Sequence, residues 1–104
     1  MQRAAEIFLP VIAVGELYFG AANSGRSAVN RAFLEAFIQG KTVLSCDLEV
    51  AQEYGILTAV LRKQGTPLPD NDTWIAAIAF RYRMTLVTRD KHFRHIADLP
   101  AVAW

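Results

Sequence analysis

One cysteine, Cys46, is all the chain offers in 104 residues, which excludes an internal disulfide and a thiolate metal cluster. A reducing, intracellular setting follows from that usage. Charge of one sign is equally scarce: 11 Lys and Arg against 10 Asp and Glu leave a net charge of +1. No whole-molecule field announces nucleic acid or a membrane, so any such contact has to come from a local patch. Long apolar runs are missing too, and nothing approaches the ~20 residues of a membrane span. "IFLPVIAV", Ile7 to Val14, has the look of a secretory core, but Pro10 interrupts it and Glu16 follows almost at once. It is therefore not read as a signal peptide, and a cytoplasmic protein without membrane contact is expected. Repeats, low-complexity tracts and linkers are also absent. With 53% apolar and 20% charged residues, what remains is one small globular domain.

Strands and helices alternate along it. Ile7 to Leu9 read as a short buried strand, and Pro10 suits the entry to a helix reaching about Asn23, with Gly25 as its stop. A second helix is expected from about Ser27 to Gln39, with Val29, Phe33, Ala36 and Phe37 as its apolar stripe and Gly40 at its end. Thr42 to Cys46 is a second strand, in which Cys46 is read as a small buried hydrophobe. Asp47 looks like the N-cap of a long helix, with Glu49 in its first turn, Val50, Tyr54, Leu57 and Leu61 along one face, and Gly65 closing it. After the "TPLP" loop, a helix is expected from about Asp72 to Arg83, then a strand from Thr85 to Thr88. A turn over Lys91 to His95 and a last strand, Ala101 to Ala103, complete the chain. This order predicts an α/β layer fold with a mainly parallel sheet.

Geometry then gathers three acids. The helix after Asp72 runs down ~18 Å at 1.5 Å per residue over about twelve residues. The strand that follows climbs back ~13 Å at 3.3 Å per residue, so Asp72 and Asp90 are expected at one edge of the sheet. Glu16, near the start of the helix after the first strand, belongs to the same edge, where open α/β sheets form their ligand sites. Three carboxylates that close repel one another unless a cation sits among them. Oxygen-only donors suit Mg²⁺ or Mn²⁺ rather than Zn²⁺.

Each acid alone has a plainer explanation. Acids at helix starts usually cap or face the helix dipole, and Asp70 is read that way; Asp90 alone would also suit the start of a turn. Asn71 is the expected cap, which leaves the Asp72 carboxylate for the cleft. Arg81, Arg83, Arg89, Lys91 and Arg94 crowd base toward the C-terminal side of the site, where they would hold phosphates or simply form a solvated face. His92 and His95, three apart on a turn, are read as structural, with a metal role as the alternative, and Trp74, Phe80 and Tyr82 as core or interface.

Taken together, "LPVIAVGELYFGA", "PLPDNDTWIAAIA" and "LVTRDKHF" closely resemble, in this order and spacing, the PIN domain of VapC-type toxins from bacterial toxin–antitoxin pairs. The resemblance covers practically the whole chain. It implies a three-layer α/β/α fold and a metal-dependent ribonuclease. Residue by residue, it makes Glu16, Asp72 and Asp90 the catalytic, metal-holding carboxylates. Asn71 and Thr88 are the candidates for the family's accompanying Ser, Thr or Asn. Asp70 becomes an outer acid, and Arg81, Arg89 and Lys91 become candidate phosphate contacts. The family usually opens on a strand reading roughly "LLDTN", whose Asp is a fourth acid, and no such strand precedes Ile7. The expectation is therefore one PIN-like domain over residues 1–104, without the usual first, central strand and the helix after it.

The resemblance further implies hydrolysis of RNA phosphodiesters with Mg²⁺ or Mn²⁺, restraint by a cognate antitoxin protein, and a homodimer or higher homo-oligomer. The alternative is a catalytically inactive shortened PIN domain that still binds antitoxin, RNA or its own copies. A phosphoacceptor domain on the same layered scaffold would want a Lys at a strand end opposite a strand-end Asp, and no convincing one is found.

Overall fold

The computed structural model describes residues 8–87 together with 93, 96, 99, 101 and 102. Packing divides the chain into two compact units, Met1–Ser45 and Cys46–Trp104.

In the first unit, β1 (Phe8–Pro10) leads into α1 (Val11–Ala22), α2 (Ser27–Ile38) and β2 (Thr42–Leu44). β1 and β2 pair in parallel, Phe8 opposite Thr42 and Pro10 opposite Leu44. Parallel neighbours need a crossover, and α1 and α2, packed on each other, provide it. Pro10 ends the strand rather than opening the helix. Its φ of −62° suits either state, but its ψ of 136° is extended, so it serves as N-cap and the helix starts at Val11. At the other end Asn23 is the C-cap, and polar side chains make the turn before Gly25 is reached. Ser24 Oγ donates to the Ala21 carbonyl at 2.7 Å, and Asn30 Nδ2 donates to Ser24 Oγ at 2.8 Å.

The stripe expected to bury α2 does not do so. Phe33 is 72% exposed, and Val29 and Phe37 are exposed as well. Leu34 and Ile38, four residues apart, are the half-buried pair of this helix. Periodicity finds an apolar face but not what covers it. Gly40, at φ 82°, provides the left-handed turn into β2. That strand ends at Leu44, and Cys46, expected inside, is exposed. Partial desolvation, and then the neighbouring Asp47 carboxylate, push its thiol up from the ordinary range. The shift lowers its thiolate fraction.

In the second unit, α3 (Leu48–Gln64) and α4 (Asp70–Tyr82) precede β3 (Leu86–Val87) and β4 (Ala101–Val102). β3 and β4 are again parallel, Leu86 opposite Ala101 and Val87 opposite Val102. The further strand residues expected at Ile7, Thr88 and Ala103 lie outside the described residues. α3 follows its sequence signals closely. Asp47 Oδ1 accepts the Val50 N–H at 2.8 Å, and Gly65 caps the far end at φ 75°. Asp47→Ala is expected to cost about 1 kcal/mol through the lost cap, read as a lowered urea midpoint at unchanged slope.

Val50, Leu57 and Leu61 are the buried face of α3. α4 is buried almost all round: Thr73, Ile75, Ala76, Ala77, Ile78 and Ala79 are all inside. Leu57, Leu61, Ala76, Phe93 and Ile96 form one cluster, flanked by Leu68, Phe80, Leu86 and Leu99. α4 ends without a glycine. Arg83 takes the left-handed cap at φ 56°, and the Met84 N–H returns to the Ala79 carbonyl at 2.9 Å. Among the described residues, no helix is long and apolar enough to cross a membrane.

Candidate active site

Glu16 is the sixth residue of α1 and is exposed. Val14 and Ala21 are the buried residues of that helix. At about 100° per residue, Glu16 falls on the side away from them. Leu17 and Phe19, its apolar neighbours, are exposed too, Phe19 by 70%.

Asp70, Asn71 and Asp72 occupy the first three positions of α4, which starts two residues earlier than its acids suggested. The cap position belongs to Pro69, extended at φ −54° and ψ 148°, which makes no side-chain cap hydrogen bond. Two prolines stiffen the approach, and the Pro69 carbonyl accepts both the Thr73 N–H at 3.0 Å and the Thr73 hydroxyl at 3.1 Å. Asn71, expected as the cap, lies inside the first turn instead, and Asp72 is half-buried. This is why three acid-or-amide residues tolerate one another there. The first turn has N–H groups without helical acceptors and the positive end of the dipole, and both favour acidic and amide side chains.

Asp70 is engaged across the unit. The Tyr54 hydroxyl donates to Asp70 Oδ1 at 3.0 Å, and the Tyr54 ring stacks on Trp74 with centroids 4.0 Å apart and planes 10° from parallel. By sequence pattern Tyr54 and Trp74 are packing residues. Their joint grip on the α4 entrance joins positions 16 residues apart, which no local pattern reveals.

Arg81, considered for phosphate, is paired within the protein. Its Nη2 lies 3.6 Å from Asp47 Oδ2 and its Nε 3.1 Å from Glu49 Oε2. The second is an ion pair by distance, but the N–H is not aimed at the oxygen and makes no hydrogen bond. The same guanidinium lies 4.9 Å from the Tyr82 ring centroid. Asp90, Thr88, Arg89 and Lys91 lie outside the described residues, as do Arg94, His92 and His95. Among the described residues, no three of His, Cys, Asp and Glu gather as a metal group. An apolar groove of about 270 Å³ lies between α3 and Phe80, lined also by Ile96, and it holds none of the predicted site residues.

The chain matches the PIN domain model over residues 1–99 and belongs to that family. It is 33% identical over 104 residues to Ribonuclease VapC2 of Haemophilus influenzae, covering 99% of this chain and 79% of that protein. It is 32% identical over 94 residues to the tRNA(fMet)-specific endonuclease VapC of Salmonella typhimurium, covering 89% of this chain and 71% of the other. Among solved structures, VapBC2 from Rickettsia felis, bound to a DNA fragment from its promoter, superposes with a TM-score of 0.90 at 27% identity. That match covers 95% of this chain and 75% of the solved one. The mixed α/β fold with parallel strand pairs is thus that of VapC structures.

Ribonucleases of this family are generally metal-dependent. The donor types present suit that chemistry. Glu16 and Asp72 are carboxylates, one exposed and one half-buried at a helix entrance. Hard oxygen donors with solvent access are what a partly hydrated divalent cation takes.

Proposed function

We propose that this chain is a metal-dependent ribonuclease, the toxin of a toxin–antitoxin pair, in which Glu16, Asp72 and Asp90 hold Mg²⁺ or Mn²⁺. The observation that carries this reading is the PIN match over residues 1–99, combined with an acid in each of the three motifs. When bound, such a cation supplies positive charge against an attacked phosphodiester and its leaving oxygen. The protein's part is to present the carboxylates. Glu16 presents one from the exposed side of α1 and Asp72 one from the first turn of α4.

Asn71, Thr88 and Asp70 are assigned supporting polar roles. Arg89 and Lys91 are assigned to RNA phosphates, which makes binding weaken as salt rises. Arg81 has its charge met by Asp47 and Glu49 and would have to leave them to join in.

The named relatives include a tRNA-specific endonuclease, which supports RNA as substrate. The solved neighbour is a toxin–antitoxin complex, which supports a cognate antitoxin as partner. Large apolar side chains left exposed, Phe19 and Phe33 among them, fit a chain that meets a protein partner or a second copy of itself. Such a toxin is expected to act in the cytoplasm as a homodimer or higher homo-oligomer.

The test is RNA cleavage by the purified chain with Mn²⁺, beside its Asp90→Asn variant and an EDTA control. Cleavage by the wild type that both controls abolish is the expected result. Silence from a folded wild type would overturn the enzyme reading and leave a PIN-type binding protein.

A further inference from the structure

We propose that Tyr54 is a positioning residue for Asp72, a strap from α3 that steadies the entrance of α4, where the cap residue has no side-chain acceptor. The inference rests on the reading of Asp72 as a metal-holding carboxylate.

A helix entrance whose cap residue offers no side-chain acceptor has one partner fewer for its first N–H groups and frays more readily. Pro69 holds the cap position of α4 and has no side-chain acceptor to offer. Asp72 rides on that first turn. A metal ligand has to be held within about 0.5 Å of its working place, so whatever steadies the turn bears on Asp72.

Tyr54 steadies the turn in two ways at once, through its hydrogen bond to Asp70 at 3.0 Å and its stack on Trp74 at 4.0 Å. Asp70 and Trp74 are four residues apart and form one stripe of α4. Asp72 falls about 200° round from Asp70, on the side shared with the buried Ala76 and Ala79. The strap thus grips the stripe opposite the one that carries Asp72, and in fixing one it sets the direction of the other. Tyr54 is itself well anchored, because Val50 and Leu57, four before and three after it on α3, are both buried.

A hydrogen bond exposed to water adds little to global stability. The effect should therefore appear in metal affinity more than in the melting temperature. Mn²⁺ binding, followed by the electron paramagnetic resonance of the free ion, is measured on the full chain for wild type, Tyr54→Ala, Tyr54→Phe and Asp72→Asn. Alongside runs Tyr54→Ala combined with Pro69→Ser, which installs an ordinary cap.

Tyr54→Ala is expected to weaken Mn²⁺ binding about tenfold, in the range for groups that orient a ligand. Tyr54→Phe keeps the stack and should lose about threefold; it carries the comparison if the alanine variant does not fold. The added Pro69→Ser should restore most of the affinity, a rescue that general loosening of the core would not allow. Wild-type affinity in both Tyr54 variants, with Asp72→Asn impaired, would overturn the strap alone. So would failure of Pro69→Ser to restore binding while it raises the melting temperature. Unchanged binding in Asp72→Asn would instead overturn the reading of Asp72, and the strap's purpose with it.

Discussion

Asp72→Asn is expected to lower metal-dependent RNA cleavage by about a hundredfold or more, because the charge stabilisation a catalytic cation brings is worth several kcal/mol. Asparagine has nearly the same shape, is tolerated in a helix's first turn, and removes only the negative charge and one hard oxygen donor. The loss of favourable contact with the α4 dipole is worth about 0.3–1 kcal/mol, too little to unfold the chain. Cleavage and Mn²⁺ affinity should therefore fall together while the thermal midpoint stays within a few degrees. Activity kept in full would remove Asp72 from the metal set and leave Glu16 and Asp90 to be tested without it. Activity and midpoint falling together would mean that the carboxylate serves the helix and not the cation.

The physical signals that made α3 readable differ from those that hid its neighbours. Its cap, its 3.6-residue apolar period and its closing glycine are all local, and Asp47, Val50, Leu57, Leu61 and Gly65 do what their types suggest. The entrance of α4 misled because acids and amides prefer the cap position, whereas a rigid, extended Pro69 had already taken it. At α2 the period was right and the burial was not, since the covering of Phe33 and Phe37 is a tertiary matter. Cys46 follows the same rule, apolar by type and exposed by place. Of the candidate site, Glu16 stands on α1 and Asp72 on α4, while Asp90 lies outside the described residues. The link from Tyr54 to Asp70 was invisible because it is made through space, between two helices whose separate patterns say nothing of each other.

Leu61→Ala should cost about 2–5 kcal/mol, the usual result of emptying a packed leucine site. Leu61 is only 1% exposed and packs in the cluster with Ala76, Phe93 and Ile96. Ala76 is completely buried and already minimal, so it has no longer side chain with which to fill the space. A cavity left between two helices that cannot close it is the expensive kind. Total stability for a domain of this size is about 5–15 kcal/mol, so the variant forfeits a large share of it. At about 4–8 °C per kcal/mol for small domains, the melting midpoint should drop by tens of degrees. Ile78→Val, at another fully buried position of α4, removes one methyl and should cost about 0.5–1.5 kcal/mol. The contrast between the two is the measurement that matters. A loss at Leu61 no greater than the loss at Ile78 would mean that α3 and α4 close over the vacancy, and so that their packing is looser than the buried Leu61 and Ala76 require. A severalfold greater loss would show a rigid α3–α4 pair, stiff enough to carry the load that Tyr54 places on the entrance of α4.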